Sequence, residues 1–285
     1  MLQPAFHIEH EQTLEEDYLQ SLLLMEVNPN GFSYLVLHQV RQEVLDAKYF
    51  SLPATESRSL TDRLKTIIDN DDVLHQQFRQ SIVLYNVAES VIVPESAFNL
   101  EMNRDLVELT YGGVSKGLIL SEKVPGHPVY NVYRVPPDMH SLFQQKFTAG
   151  KYWHIYSLWL SSLKSFPPEI EEGQARVHVL FYPDKMLVSV LRTGLLQLVQ
   201  TYTYQVPEDA VYFLLNICRQ LELSPEEILL VISGYADNDS ALLNEVKKYF
   251  LRFHMDEVPQ TFSKDLFNPL PVHFFSPLLK MALCV

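Results

Sequence analysis

Cysteine is nearly absent: Cys218 and Cys284 are the only two in 285 residues, which is neither a disulfide framework nor a metal knuckle. A reducing, cytoplasmic setting is the expectation. Glycine is scarce at 9, and the 17 prolines are scattered rather than clustered, which excludes collagen-like and low-complexity chains. Positive charge is short as well. Lys and Arg number 22 against 35 Asp and Glu, a formal charge of −13, so a general electrostatic grip on nucleic acid or an anionic membrane is disfavoured. The most apolar stretches, such as 22–25 and 213–217, are interrupted by charge within a few residues, far short of the roughly 20 residues needed to cross a bilayer. Residues 1–12 carry Glu9 and Glu11 but no Lys or Arg, so no secretory signal and no membrane insertion are expected.

Several chemistries are missing too. There is no His-Glu-x-x-His, no Cys-x-x-Cys, no Walker A loop, no Gly-x-Ser-x-Gly elbow and no Gly-x-Gly-x-x-Gly, and Gly112-Gly113 with Gly117 does not reproduce the last. His7 and His10 lie three apart in an N-terminus read as mobile, not as a metal site. The acidic runs Glu15-Glu16-Asp17, Asp69 to Asp72 and Glu169 to Glu172 read as solvated turns. Tyr152, Trp153, Tyr156, Trp159, Leu160 and Leu163 fall at helical spacing without adjacent Lys or Arg between them, which favours core packing over a base-stacking platform.

What is present is the composition of an ordered globular chain, 47% hydrophobic and 20% charged, long enough for two domains or one large one. Residues 22–26, 32–39 and 43–50 read as an antiparallel meander whose first turn, Asn28-Pro29-Asn30-Gly31, combines a preset φ at Pro29 with a glycine free to take positive φ. A helix over 59–72 follows, with Ser59 as its N-cap and Leu60, Leu64, Ile67 and Ile68 on one face. Strands at 82–85 and 91–93, a helical stretch from Pro94 toward Leu109 and a strand at 130–135 complete the first half. Residues 137–147 and 152–166 read as helices between the halves.

The second half repeats the order. Strands at 177–182, 186–192 and 195–204 turn at Pro183-Asp184-Lys185 and Thr193-Gly194. Pro207, Glu208 and Asp209 then open a helix, followed by a strand at 228–233, a helix from Asp239 or Ser240 through Phe250 and a strand at 253–258. The match is of element order, not of letters. The linker is placed near Pro167-Pro168, which gives a first lobe of 1–168 with a helical insertion and a second of 169–285. The apolar segment 267–285 is expected to dock on a surface, the first lobe being one candidate.

A three-stranded meander feeding helix, strand, helix and strand, written twice, resembles the actin-like ATPase fold of the ribonuclease H-like class. More specifically, Asn28-Pro29-Asn30-Gly31-Phe32, the corner Val91-Ile92-Val93-Pro94, Asn131-Val132-Tyr133, and Leu196 to Tyr204 running into Glu208-Asp209-Ala210-Val211-Tyr212-Phe213-Leu214-Leu215 look like a functionally uncharacterised family of Bacteroidetes proteins with that fold. The fold expected is therefore α/β with two actin-like lobes facing each other across a cleft.

The resemblance also implies where a nucleotide with Mg²⁺ would be held: an Asp-bearing, Gly-rich first turn, a second such turn, and a glycine pair after a late strand. Acidic residues hold the metal while bare glycine N–H groups approach the phosphates. Carried over, these positions are Asn30 and Gly31, then Asp184, then Gly234. Each departs from the pattern: amides replace the carboxylate, Pro183 removes an N–H, and Ser233-Gly234-Tyr235 has one glycine. The same residues also read as ordinary turn chemistry. The expectation is a nucleotide-degenerate protein with no cofactor and no catalytic residue, acting through a protein partner or a homo-oligomer. The alternatives are an ATP-Mg-dependent ATPase or small-molecule kinase using Asp184, and an assembly platform akin to the pilus-assembly relatives.

Overall fold

The computed structural model describes residues 3–9, 13–53, 58–113, 116–165, 175–237, 239–262, 267 and 270–285. The chain divides into two compact units, Met1–Ser161 with Val285, and Ser162–Cys284. The Pro-bearing linker expected near 168 and the acidic run 169–172 lie outside the described residues.

The first unit opens with β1 (Phe6–Glu9) and a short α1 (Glu15–Tyr18), followed by β2 (Ser21–Asn28), β3 (Gly31–His38), β4 (Glu43–Ser51), α2 (Leu60–Asn70) and β5 (Gln80–Tyr85). After an insertion come α4 (Pro137–Lys146), β9 (Lys151–His154) and α5 (Ile155–Ser165), within which the division between the units falls. The sheet runs β1-β4-β3-β2-β5-β9. Every residue of β2 is buried, as befits a central strand covered on both faces. Ser59 caps α2 as expected, its hydroxyl accepting the Asp62 N–H. Leu64, Ile67 and Ile68 join Leu23, Met25, Phe32, Val83 and Phe143 in one core.

The second unit holds β10 (Arg176–Phe181), β11 (Lys185–Arg192), β12 (Leu195–Thr203), α6 (Pro207–Gln220), β13 (Leu229–Gly234), α7 (Ala241–Val246), β14 (Phe253–Met255) and α8 (Val272–Ala282). Its sheet is β12-β11-β10-β13-β14. Thr193 and Gly194 both take positive φ, 51° and 75°, the signature of a type I′ turn between twisted strands. Pro207 sits at the first helical position and the Asp209 carboxylate accepts the N–H groups of Gln205 and Val206, which neutralises the helix N-terminus. The C-terminal helix α8 packs on β13 of its own unit, with the His273 ring 2.9 Å from the Ala236 carbonyl and Lys280 paired to Asp256.

Set side by side, the two sheets agree in register as well as order. Without β1, the first reads β4-β3-β2-β5-β9 where the second reads β12-β11-β10-β13-β14. Val27 pairs with Tyr85 in parallel as Phe181 pairs with Gly234. The third strand of each meander carries its irregularity at matching places, opposite Val36/Leu37 and opposite Val190/Leu191.

Four expectations need correction. The strand at 130–135 is not the last of the main sheet. It is β8 (Val129–Val135), central in a separate sheet with β6 (Ser90–Pro94) and β7 (Leu118–Lys123), on which α3 (Asn103–Tyr111) packs. The insertion is thus mixed rather than helical. The main-sheet place is taken by β9, whose Tyr152 and Trp153 had fitted the helical spacing of Tyr156 and Trp159; the helix begins only at Ile155. His7 lies in β1, paired along β4, rather than in a mobile terminus. Finally, Asp17 and Asp71 of the acidic runs are buried: Asp17 accepts the Leu14 N–H and pairs with Arg41, and Asp71 accepts from Tyr34 and Lys48. Local helix starts and ends turn one carboxylate of each of these two runs inward, which a count of like charges cannot show.

Candidate functional site

In open α/β sheets ligands gather beyond the carboxyl ends of the parallel strands, and each lobe presents its first hairpin turn there. In the first lobe β2 ends at Asn28 and β3 starts at Gly31, leaving Pro29-Asn30 as a two-residue turn. In the second, Phe181 pairs with Met186 and the Tyr182 N–H donates to the Lys185 carbonyl at 2.8 Å, leaving Pro183-Asp184. The two turns are equivalent by register, and both begin with proline. A phosphate-gripping turn works through bare N–H donors, and proline removes the first of them in each lobe.

The second donor of the first turn is also engaged. Asn30 donates its N–H to Asn28 Oδ1 at 2.9 Å, an Asx-turn that closes the loop on itself. Gly31 does not take positive φ, contrary to expectation. It is an extended residue at the start of β3, and a Cβ built there would stand 2.9 Å from Cε2 of Tyr49 and 3.1 Å from Asn28 Nδ2. The glycine makes room for a tyrosine ring. The nearest acidic residue in β2, Glu26, is buried and accepts from Asn86 Nδ2 at 2.8 Å. Sequence reading had passed over both Glu26 and Asn86; a carboxylate two residues from the end of a fully buried strand is the signal that could have found them.

Asp184 keeps a carboxylate in the second turn. Its carbonyl accepts the Tyr204 N–H at 3.2 Å, and burial first, then the Asp184 charge, push the Tyr204 phenol up to about 12. That phenol donates to the Tyr182 carbonyl, and Lys185 lies 5.4 Å over the Tyr182 ring. Gly234 ends β13 with φ +79°, where a Cβ would fall 2.2 Å from the Phe181 carbonyl oxygen. Its freedom serves the joint between β13 and β10, because the Tyr235 N–H then reaches that same oxygen at 2.9 Å. Asp184 and Gly234 therefore share one end of the second sheet, and Asn30 and Gly31 share one end of the first. Among the described residues no group of three or more His, Cys, Asp or Glu could hold a metal ion.

Residues 11–253 match the family of proteins of unknown function DUF3822. The chain belongs to that family. No curated protein matches it. Among solved structures it is similar to a Bacteroides thetaiotaomicron protein with an actin-like ATPase fold and unknown function, at 17% identity and a TM-score of 0.78, covering 94% of this chain and 98% of the other. It is also similar to a chain of the PilM-PilN type IV pilus biogenesis complex, at 11% identity and TM-score 0.60 over 92% and 96%. A third similarity is to the ethanolamine utilization protein EutJ of Carboxydothermus hydrogenoformans, at 7% and 0.51 over 100% and 92%. The fold of this DUF3822 member is thus the actin-like one, as its sequence resemblance implied. Among the described residues no helix is long and apolar enough to cross a membrane.

Proposed function

We propose that this DUF3822 protein is a nucleotide-degenerate, internally duplicated member of the actin-like fold that acts through protein–protein contacts in the cytoplasm rather than through turnover. The observation that carries the reading is the pair of register-equivalent turns, each opening on proline, with the Asn30 N–H already donated to Asn28. Both cysteines are free thiols, in keeping with a reducing compartment. The pilus biogenesis neighbour is itself part of a protein complex, which supports a protein partner or an assembly platform for this chain; its Bacteroides neighbour supports a Bacteroidetes origin for the group. Calorimetry with Mg-ATP, ADP and GTP at millimolar concentration tests the reading. No saturable heat is expected, and saturable binding with phosphate release overturns it. Capture of cross-linked partners from native cells tests the other half, and a chain that returns alone as a monomer counts against it.

A second reading rests on the one carboxylate retained in the turns. If Asp184 still carries metal-nucleotide chemistry, Asp184→Ala abolishes binding or turnover, and an unchanged signal retires it.

A further inference from the structure

The first unit carries a cavity of about 370 Å³ bounded by β1, β4, the end of α2 and the 3-10 turn Asp72–His75. It is built by strand alternation, which puts Asp46, Lys48 and Phe50 of β4 on one face, and by the β1–β4 register, which sets Glu9 opposite Asp46 and His7 opposite Lys48. Its polar groups come from four elements separated widely in sequence. His7 Nε2 lies 3.0 Å from Asp46 Oδ2. Lys48 Nζ donates to Asp71 Oδ2 at 3.0 Å, and behind them the Tyr34 hydroxyl lies 3.0 Å and 3.2 Å from the two Asp71 oxygens.

One atom of this network is left over. Asp46 is only 2% exposed, yet its Oδ1 has no hydrogen-bond partner. The Tyr34 hydroxyl beside it is directed at the two Asp71 oxygens. A buried carboxylate oxygen without a donor is costly, and a bound group that supplies one removes the cost. The surrounding charge selects the group. Glu9, Asp46, Asp71 and Asp72 line the cavity against Lys48 and His7, and those two are already engaged by Asp71 and Asp46. A phosphate or carboxylate ligand meets a surplus of like charge, whereas a cation is attracted. Phe50, Ile67 and Val73 supply an apolar wall for a short hydrocarbon stem, and the volume suits a small molecule rather than a chain segment.

We propose that this cavity binds a small organic cation, an aliphatic ammonium or guanidinium compound, with Asp46 as its anchor. The lining of the site shares no residue with the hairpin turns, and the proposal does not depend on the function proposed above. Calorimetry of the full chain with agmatine at low salt is expected to show saturable one-to-one binding that weakens as salt rises. Asp46→Asn is expected to weaken it at least tenfold, while Asp184→Asn leaves it unchanged. Should the Asp46 variant fail to fold, Glu9→Gln combined with Asp72→Asn, both at the cavity rim, is expected to weaken binding severalfold. Absence of agmatine binding, equal affinity in the variants, or saturable binding of neutral glucose instead overturns the assignment. Each of these outcomes leaves the Mg-ATP experiment to be decided separately.

Discussion

His178 and Ser189 stand directly opposite each other on β10 and β11, both buried, and neither His178 Nε2 nor Ser189 Oγ has a hydrogen-bond partner. The pair is flanked by positive charge: burial first, then Arg176 and Lys280, push the imidazole down to about 3. A histidine held below its ordinary 6.5 is protonated more readily in the unfolded chain, so His178 costs the fold nothing above about pH 6.5 and destabilises it increasingly as pH falls toward 3. The loss by pH 4 is about 3 kcal/mol from this group alone. His178→Leu is expected to be at least as stable as the parent at pH 7 and to show a flatter fall of Tm between pH 6.5 and 4. Parallel acid profiles of the two proteins would sink the assignment.

Gly234 and Gly31 separate two reasons for a glycine. At Gly234 a Cβ meets the Phe181 carbonyl oxygen, which is backbone and cannot yield, and φ is +79°. At Gly31 it meets the Tyr49 ring, which can rotate, and φ is not positive. Gly234→Ala is therefore expected to cost about 3 kcal/mol or more, and Gly31→Ala about 1 kcal/mol. Urea unfolding of the two variants checks the order. Equal costs would mean that the β10–β13 joint does not need the glycine.

Much of the main fold was legible because its signals are local. The hydrophobic runs of the two meanders are punctuated by Pro-Asn, Pro-Asp and Thr-Gly turns, and the helices announce themselves through Ser59, Pro207 and Ser240. The β9–α5 boundary was hidden because Tyr152 and Trp153 fit the spacing of the helix that follows. The turn positions were legible as deviations from a pattern, but their cause was not: whether Asn28 takes the Asn30 N–H, or whether a tyrosine fills the space beside Gly31, is fixed by strand pairing. The cavity around Asp46 was illegible altogether. His7 reaches Asp46 across 39 positions, and Tyr34 reaches Asp71 across 37, distances over which no periodicity speaks.

Glu122 on β7 ties the insertion to the main sheet. Its carboxylate accepts the His154 N–H at 2.8 Å and the Tyr133 hydroxyl at 2.9 Å, bonds that favour the ionised form. Burial outweighs them and pushes the carboxyl up to about 7. The sign follows from the unfolded value near 4.5: the fold binds the proton more tightly, so the contribution of Glu122 to stability is greatest below about pH 4.5, falls as pH rises toward 7, and is level above it. Discounted for the partial exposure of the side chain, the fall is about 2 kcal/mol. Glu122→Gln has no charge to desolvate, so its Tm is expected to vary less than the parent's between pH 5 and pH 8, with the relative gain largest at pH 8. If the variant loses stability equally at both pH values, Glu122 serves the junction only as a hydrogen-bond acceptor and its ionisation is unimportant to the fold.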